Sequence, residues 1–204
     1  GERHAMACVK HFAANSMENA RFSVDVTVDD VALHEVFLPH FRRIVDEGVA
    51  VVMSAYNAVN GEWCGQSRRL LTDVLRGEWG FAGFVISDWI FGLRDAGPSV
   101  ANGLDVEMPY RMVRAFGLDA ALAAGECEQA DIDRVVTNTV ATLLRFAHLL
   151  TAERPSLDVL ASAPHRALAR EAATKAVVLL RNEPLAGAPV LPISLGATRV
   201  AVLG

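Results

Sequence analysis

The sequence predicts an α/β fold built on a parallel sheet, and three observations carry the prediction. Short apolar runs alternate with longer stretches whose apolar residues recur at helical spacing. The run 49–55 is almost uninterrupted in its apolar character, as a strand buried on both faces should be. Each apolar run also ends in polar or ionisable residues, the pattern expected where strands point into a common pocket.

The elements follow in order. Residues 5–9 form a short apolar run ending in Lys10-His11. Asp29-Asp30 can cap a helix whose apolar face uses Val31, Leu33, Phe37, Leu38, Phe41, Ile44 and Val45, with Gly48 as its stop and Pro39 expected to kink or interrupt it. After the strand at 49–55, Ser67 begins a second helix carrying Leu70, Leu71, Val74 and Leu75, which breaks at Gly77 and Gly80. Residues 84–86 are the next strand and 104–107 a weaker fourth. Strand–helix–strand spacing of this kind implies right-handed crossovers and a parallel sheet. Helices are expected at 112–124 and at 131–150, the latter with Asp131 as N-cap. A stretch around Arg154-Pro155 reads as a linker, a helix follows at 165–180, and a further strand begins at 199–203.

Composition narrows the function classes. The 204 residues are 52% apolar and 21% charged, which suits a packed globular domain. A net charge of −5 with interspersed signs gives no electrostatic footprint for nucleic acid or an anionic membrane. No apolar run approaches a bilayer span. Cys8, Cys64 and Cys127 are too few and too scattered for a disulfide framework and leave the compartment undecided. The six histidines show no HxH or HExxH spacing, which disfavours a metal-dependent hydrolase.

The polar residues at the strand ends are the functional candidates: Lys10-His11, Tyr56-Asn57, Asp88-Trp89 and Glu107. In a closed parallel barrel all four ends lie on one face, where the βα loops build the active site. Such a set suits a sugar, with donors for its hydroxyls, a carboxylate for the anomeric carbon and an indole for the ring face. Each residue also has a structural reading. Asp88 could cap the next helix, His11 could be a structural hydrogen-bonder, and Lys10 could lie on the surface. Trp89 could be core, Glu107 could form a salt bridge beneath the pocket, and Tyr56 could close the rim. Recurrence over four successive strands favours the functional reading.

The same segments resemble glycoside hydrolase family 3. The run 10–15, Lys-His-Phe-Ala-Ala-Asn, is similar to the family's Lys-His-Phe motif. Residues 53–57 with Asn60-Gly61 resemble its next strand, and 70–81 with 83–89 match its nucleophile segment. Residues 102–109 resemble the last barrel strand, while 178–182 and 200–204 resemble the linker and first strand of the family's α/β-sandwich domain. The resemblance implies that residues 1–150 are the C-terminal half of a (β/α)8 TIM-type barrel, 151–195 a helical linker, and 196–204 the start of the sandwich domain. The chain, beginning at Gly1 without Met, is expected to lack its true N-terminus.

The implied function is a retaining, exo-acting β-glycosidase, a β-glucosidase in the first instance, acting on a small carbohydrate through a covalent glycosyl-enzyme on Asp88, without a metal or organic cofactor. Lys10 and His11 would bind glycone hydroxyls, Tyr56 would lie near the nucleophile, and Trp89 would border the sugar. The acid/base would come from the second domain, outside this chain. Two departures bear on specificity. Asn15-Ser16-Met17-Glu18 replaces the family's Asn-Gln-Glu, and no Pro-Gly-His-Gly stretch follows Phe12, which disfavours the N-acetylglucosaminidase branch. The bulky 90–94 segment leaves the aglycone side open. The rival readings are a Schiff-base lyase using Lys10, which the polar surroundings disfavour, and a non-catalytic carbohydrate-binding relic.

Overall fold

The strands form where β-branched and apolar residues cluster, and the sheet they build is parallel. In the computed structural model, which describes residues 5–149, 156–185, 187–193, 196, 199 and 201, the chain divides into two units, residues 1–152 and 153–204. The first unit holds a three-stranded sheet of β1 (Cys8–Phe12), β3 (Val51–Ser54) and β6 (Phe84–Ile86), all parallel and neighbours in chain order. Cys8, Val51 and Phe84 lie in register across it. Beyond β6 the fourth run contributes only a single parallel bridge, Ile86 to Val106. Gly103, at φ +105°, and the side-chain ties of Asp105 leave it too irregular to pair further.

Lys10 and His11 lie inside β1 rather than beyond its end. The polar pair suggested a strand terminus; instead the strand is only partly covered, and such a strand accommodates polar residues along its length. A second small sheet escapes the apolar pattern altogether. In it β2 (Asp25–Val26) runs parallel to β4 (Ala58–Val59), which forms a hairpin with β5 (Glu62–Trp63). The Asn60-Gly61 turn has both φ angles positive, +51° and +89°, the conformation a tight hairpin needs. The Asn60 amide closes on Val28, donating to its carbonyl at 2.8 Å and accepting from its N–H at 2.9 Å.

Asp29 caps the first helical segment, its Oδ1 accepting the Ala32 N–H at 2.8 Å. α1 (Asp30–Ala32) passes into a π-helical segment, Leu33–Phe37, and α2 (Pro39–Asp46) starts anew with Pro39 in its first turn. The proline interrupts the expected helix and begins a new one, because its missing N–H costs nothing in a first turn. Val31 and Ile44, expected on the buried face, are exposed. Arg69–Glu78 is also π-helical and runs through Gly77; Gly80, at φ +66°, follows its end. Then come α3 (Ala96–Ala101), α4 (Val113–Ala124) and α5 (Gln129–Arg145). Asp131 is not the N-cap of α5. Glu128 is, and Asp131 returns a hydrogen bond to the Glu128 N–H in a reciprocal capping box.

The main core lies between the parallel sheet and the helices. Phe12, Leu33, Leu38, Val52, Leu70, Leu71, Val74, Leu75, Val85 and Leu104 are buried there. Phe12 makes edge contacts with Phe41 at 5.1 Å and Trp79 at 5.7 Å, so β1 is anchored directly beneath His11. A buried ion pair supports β6. Asp105 Oδ2 accepts from Arg76 Nη2 and the Val85 N–H, both at 2.6 Å, and Oδ1 accepts from Asn138 Nδ2 at 2.9 Å.

The second unit contains α6 (Ala163–Ala176) and a two-stranded antiparallel hairpin, β7 (Pro184–Leu185) with β8 (Ala188–Pro189). The helix expected at 165–180 thus begins two residues earlier and ends at Ala176, before Val177-Val178, whose β-branched side chains favour extended backbone. Of the strand expected at 199–203, residues 200, 202 and 203 lie outside the described residues.

Candidate active site

Asp88 sits two residues past β6 and is 5% exposed. Its neighbours are fixed by backbone pairing with the 106–108 segment. Ser87 donates its N–H to the Val106 carbonyl at 3.0 Å, the Met108 N–H donates to Ser87 Oγ at 2.9 Å, and the Ile90 N–H donates to the Met108 carbonyl at 3.1 Å. The chain then folds back tightly. Ile90 takes φ +68°, a costly conformation for a β-branched residue. Gly92 packs so closely that a Cβ there would fall 2.5 Å from the Asp88 carbonyl oxygen and 2.6 Å from its nitrogen, so only glycine fits.

The two carboxylate oxygens differ. Oδ1 accepts the Trp89 N–H at 2.7 Å. Oδ2 is buried without a hydrogen bond, and His11 Nε2 approaches it to 3.4 Å. Asp88 therefore has one oxygen held by a backbone N–H and one without a hydrogen bond, facing the His11 imidazole.

Tyr56, just after β3, donates its hydroxyl to the Trp89 carbonyl at 2.8 Å. Its phenol is pushed above the ordinary value first by burial and then by the negative charge of Asp88, which keeps it a donor. Phe22 packs edge-on against Tyr56 at 4.7 Å and Phe91 at 5.5 Å, and the Arg21 guanidinium lies 4.8 Å from the Phe22 ring and 5.2 Å from the Tyr56 ring. Trp89 and Phe91, in the turn that follows Asp88, are about half exposed. Asn57 is buried and donates to the Ala13 carbonyl at 3.2 Å, which ties the end of β1 to β3.

The structure thus brings His11, Tyr56 and Trp89 around Asp88. Lys10 is placed differently. It is exposed, and with His11, Asn15, Ser16 and His40 it lines a cavity of about 250 Å³. Glu107 proves structural: Oε1 accepts the Val113 N–H at 2.6 Å and Oε2 the Arg114 N–H at 3.1 Å, so it caps α4 instead of reaching into the pocket. Phe22, Phe91 and Arg94 were absent from the sequence candidates. No periodicity places residue 22 beside residue 56; the π-electron contacts exist only because the loops meet.

Among the described residues no group of three or more His, Cys, Asp or Glu side chains could hold a metal, and no helix is long and apolar enough to cross a membrane.

Comparison with known proteins bears on this arrangement. The chain is 36% identical over 200 residues to thermostable β-glucosidase B of Acetivibrio thermocellus, covering 97% of this chain and 25% of that protein. It is 35% identical over 201 residues to an exo-α-(1→6)-L-arabinopyranosidase of Bifidobacterium breve, covering 96% of this chain and 26% of that one. Among solved structures it superposes on the β-glucosidase DesR of Streptomyces venezuelae in complex with D-glucose with a TM-score of 0.75 at 36% identity, covering 88% of this chain and 24% of the other. On β-glucosidase 3B of Thermotoga neapolitana in complex with glycerol the TM-score is 0.76 at 35% identity, covering 94% and 27%. The chain spans about a quarter of the length of these relatives. The profile of the glycosyl hydrolase family 3 N-terminal domain, a TIM-barrel-like α/β fold, matches residues 1–143. The chain belongs to glycosyl hydrolase family 3.

Proposed function

We propose that this chain is the nucleophile-bearing part of a retaining, exo-acting β-glycosidase, a β-glucosidase, with Asp88 as the nucleophile. The observation that carries the reading is the asymmetry of the Asp88 carboxylate. A nucleophile needs one oxygen oriented by a donor and the other not tied up by one; Oδ1 takes the Trp89 N–H, while Oδ2 has no hydrogen bond and only the His11 contact at 3.4 Å. Oδ2 attacks the anomeric carbon, a carbon–oxygen bond forms, and the bond to the aglycone oxygen breaks. That oxygen takes its proton from a second carboxyl group. Glu107 is committed to the N-terminus of α4, which supports an acid/base contributed from outside these residues. Water then cleaves the glycosyl-enzyme with the acid acting as base.

His11, which faces Asp88 and also lines the cavity bordered by Lys10, serves as a donor to glycone hydroxyls with Lys10 as the second donor on that side, and Trp89 borders the ring. In this reading residues 1–150 are the C-terminal half of the barrel, 151–195 a linker and 196–204 the start of a sandwich domain. The parallel order of β1, β3 and β6, with Val106 bridged beyond, supports the half-barrel arrangement. Likeness to β-glucosidases along nearly the whole chain supports glucose as the glycone. The arabinopyranosidase relative supports a second reading, a pentopyranoside glycone.

The test is Asp88→Gly in the full-length enzyme. Turnover of an aryl β-glucoside should fall by about 10⁴-fold or more, and added azide should yield the α-glycosyl azide. Wild-type-like turnover would remove Asp88 from the role. A panel of p-nitrophenyl β-glucoside, α-L-arabinopyranoside and N-acetyl-β-glucosaminide on the unmodified enzyme decides the glycone, with the glucoside expected to lead.

A further inference from the structure

Between the two loops that enclose Asp88 lies a side chain with no part in the chemistry described so far. Arg94 Nη2 donates to the Phe22 carbonyl at 2.7 Å, across 72 residues of sequence, and its guanidinium stacks 4.2 Å from the Trp63 ring. Phe22 is the residue whose ring stands against both Tyr56 and Phe91. Tyr56 in turn holds the Trp89 carbonyl, and Trp89 holds Asp88 Oδ1 through its N–H. A continuous chain of contacts therefore runs from Arg94 to the carboxylate.

This chain has a mechanical task. Ile90, at φ +68°, is in a conformation that a β-branched residue keeps only where its surroundings over-determine it. On one side the backbone bond to Met108 restrains the turn. On the other the restraint is the ring stack of Tyr56, Phe22 and Phe91, and Phe22 is itself 44% exposed. Within its own loop Phe22 is held by the Arg21 guanidinium and by the Ser23 and Val24 N–H bonds to the Ala20 carbonyl; Arg94 adds a hold from the distant loop that carries the Asp88 turn.

We propose that Arg94 is a positioning residue for the Asp88 turn, acting through the Phe22 carbonyl and ring on Tyr56 and Trp89. The proposal rests on the assignment of Asp88 as nucleophile. The route from Arg94 to Asp88 runs through Phe22, Tyr56 and Trp89, so its loss should not remove the reaction but should misplace the carboxylate and the turn at residues 89–91. Lysine is no substitute, since its ammonium cannot both stack on Trp63 and present a planar donor to the Phe22 carbonyl.

The experiment uses the full-length enzyme and a mechanism-based probe, 2,4-dinitrophenyl 2-deoxy-2-fluoro-β-D-glucoside, whose released dinitrophenolate counts competent sites and reports the rate of glycosylation per site. The variants are Arg94→Lys and Phe22→Ala, singly and together. Each single change should lower the first-order glycosylation rate per titrated site by about tenfold or more with the binding constant changed less than threefold, and the double variant should lose no more than the worse single one. A merely structural role would lower the number of competent sites and the melting temperature while leaving the rate per site intact, and that result overturns the proposal. Additive losses in the double variant overturn the route through Phe22. If Arg94→Lys does not fold, Phe22→Ala alone decides, an unchanged rate per site being the refuting result. Absence of any label on Asp88 in the unmodified enzyme refutes the nucleophile assignment and the proposal with it, whereas labelled wild type with an unaltered Arg94→Lys rate refutes the proposal alone.

Discussion

Replacing Asp105 by alanine should destabilise the first unit more than any change at the candidate active site. The Asp105 side chain is fully buried and that of Arg76 is 17% exposed. Alanine removes three hydrogen bonds: those from Arg76, from the Val85 N–H and from Asn138. It also strands the Arg76 guanidinium, whose remaining acceptors are the Phe81 and Gly83 carbonyls at 3.3 and 3.1 Å. Breaking a buried pair from one side costs about 3–5 kcal/mol, most of it the uncompensated charge. For a unit of this size that corresponds to a fall in melting temperature of roughly 6–20 °C. The assay is thermal unfolding of the full-length protein followed by far-UV circular dichroism, with the first unit's transition scored. A double variant separates the terms: Asp105→Leu with Arg76→Met replaces the pair by apolar groups and should recover much of the loss, because neither charge is then buried. A loss in Asp105→Ala below about 1 kcal/mol would show that the pair contributes little to holding β6, and that the Val85–Leu104 packing suffices.

Four further outcomes follow from the geometry. Tyr56→Phe should keep the ring stack on Phe22 and lose the bond to the Trp89 carbonyl, costing about 0.5–1.5 kcal/mol in stability; no detectable change in unfolding would mean that the hydroxyl does not secure the turn. Because the Tyr56 phenol is raised by burial and by Asp88, its stabilising contribution is complete below the ordinary phenol value near 10 and is lost as pH climbs through the raised one. Alkaline difference spectroscopy should therefore place the step missing in Tyr56→Phe above that value, and a step below it would reverse the sign. Glu107→Gln should weaken the α4 cap by about 1 kcal/mol yet leave kcat/KM within a few fold; collapse of activity with normal unfolding would make Glu107 the acid. His11→Ala should cost roughly 2–4 kcal/mol in kcat/KM on a glucoside and less on the deoxy-sugar lacking the contacted hydroxyl, while an equal loss on both would assign His11 to holding Asp88.

Much of this protein was legible in its residues alone. The apolar runs at 49–55 and 84–86 marked buried parallel strands because a strand covered on both faces has no polar positions to offer. The position of Asp88 just past such a strand, within a run resembling the family's nucleophile segment, marked it as the central candidate, and the recurring polar residues pointed to His11, Tyr56 and Trp89 as its company. Those signals are local, and local pattern survives in sequence.

Tertiary structure alone decided what depends on contacts between distant segments. Glu107 and Asp88 both follow apolar runs, yet one is bound to a helix terminus and the other keeps an oxygen without a hydrogen bond; only the placement of α4 distinguishes them. The polar content of Lys10-His11 could mark a strand end or a half-covered strand, and the packing of Phe12 against Phe41 and Trp79 decided for the strand interior. The Phe22–Tyr56–Phe91 stack and its anchor at Arg94 join residues 22, 56, 91 and 94, which share no period and no motif. Secondary-structure pattern records which face of each element is buried. Which loops meet above the sheet is fixed by the order and twist of the strands, and a one-dimensional pattern does not carry that information.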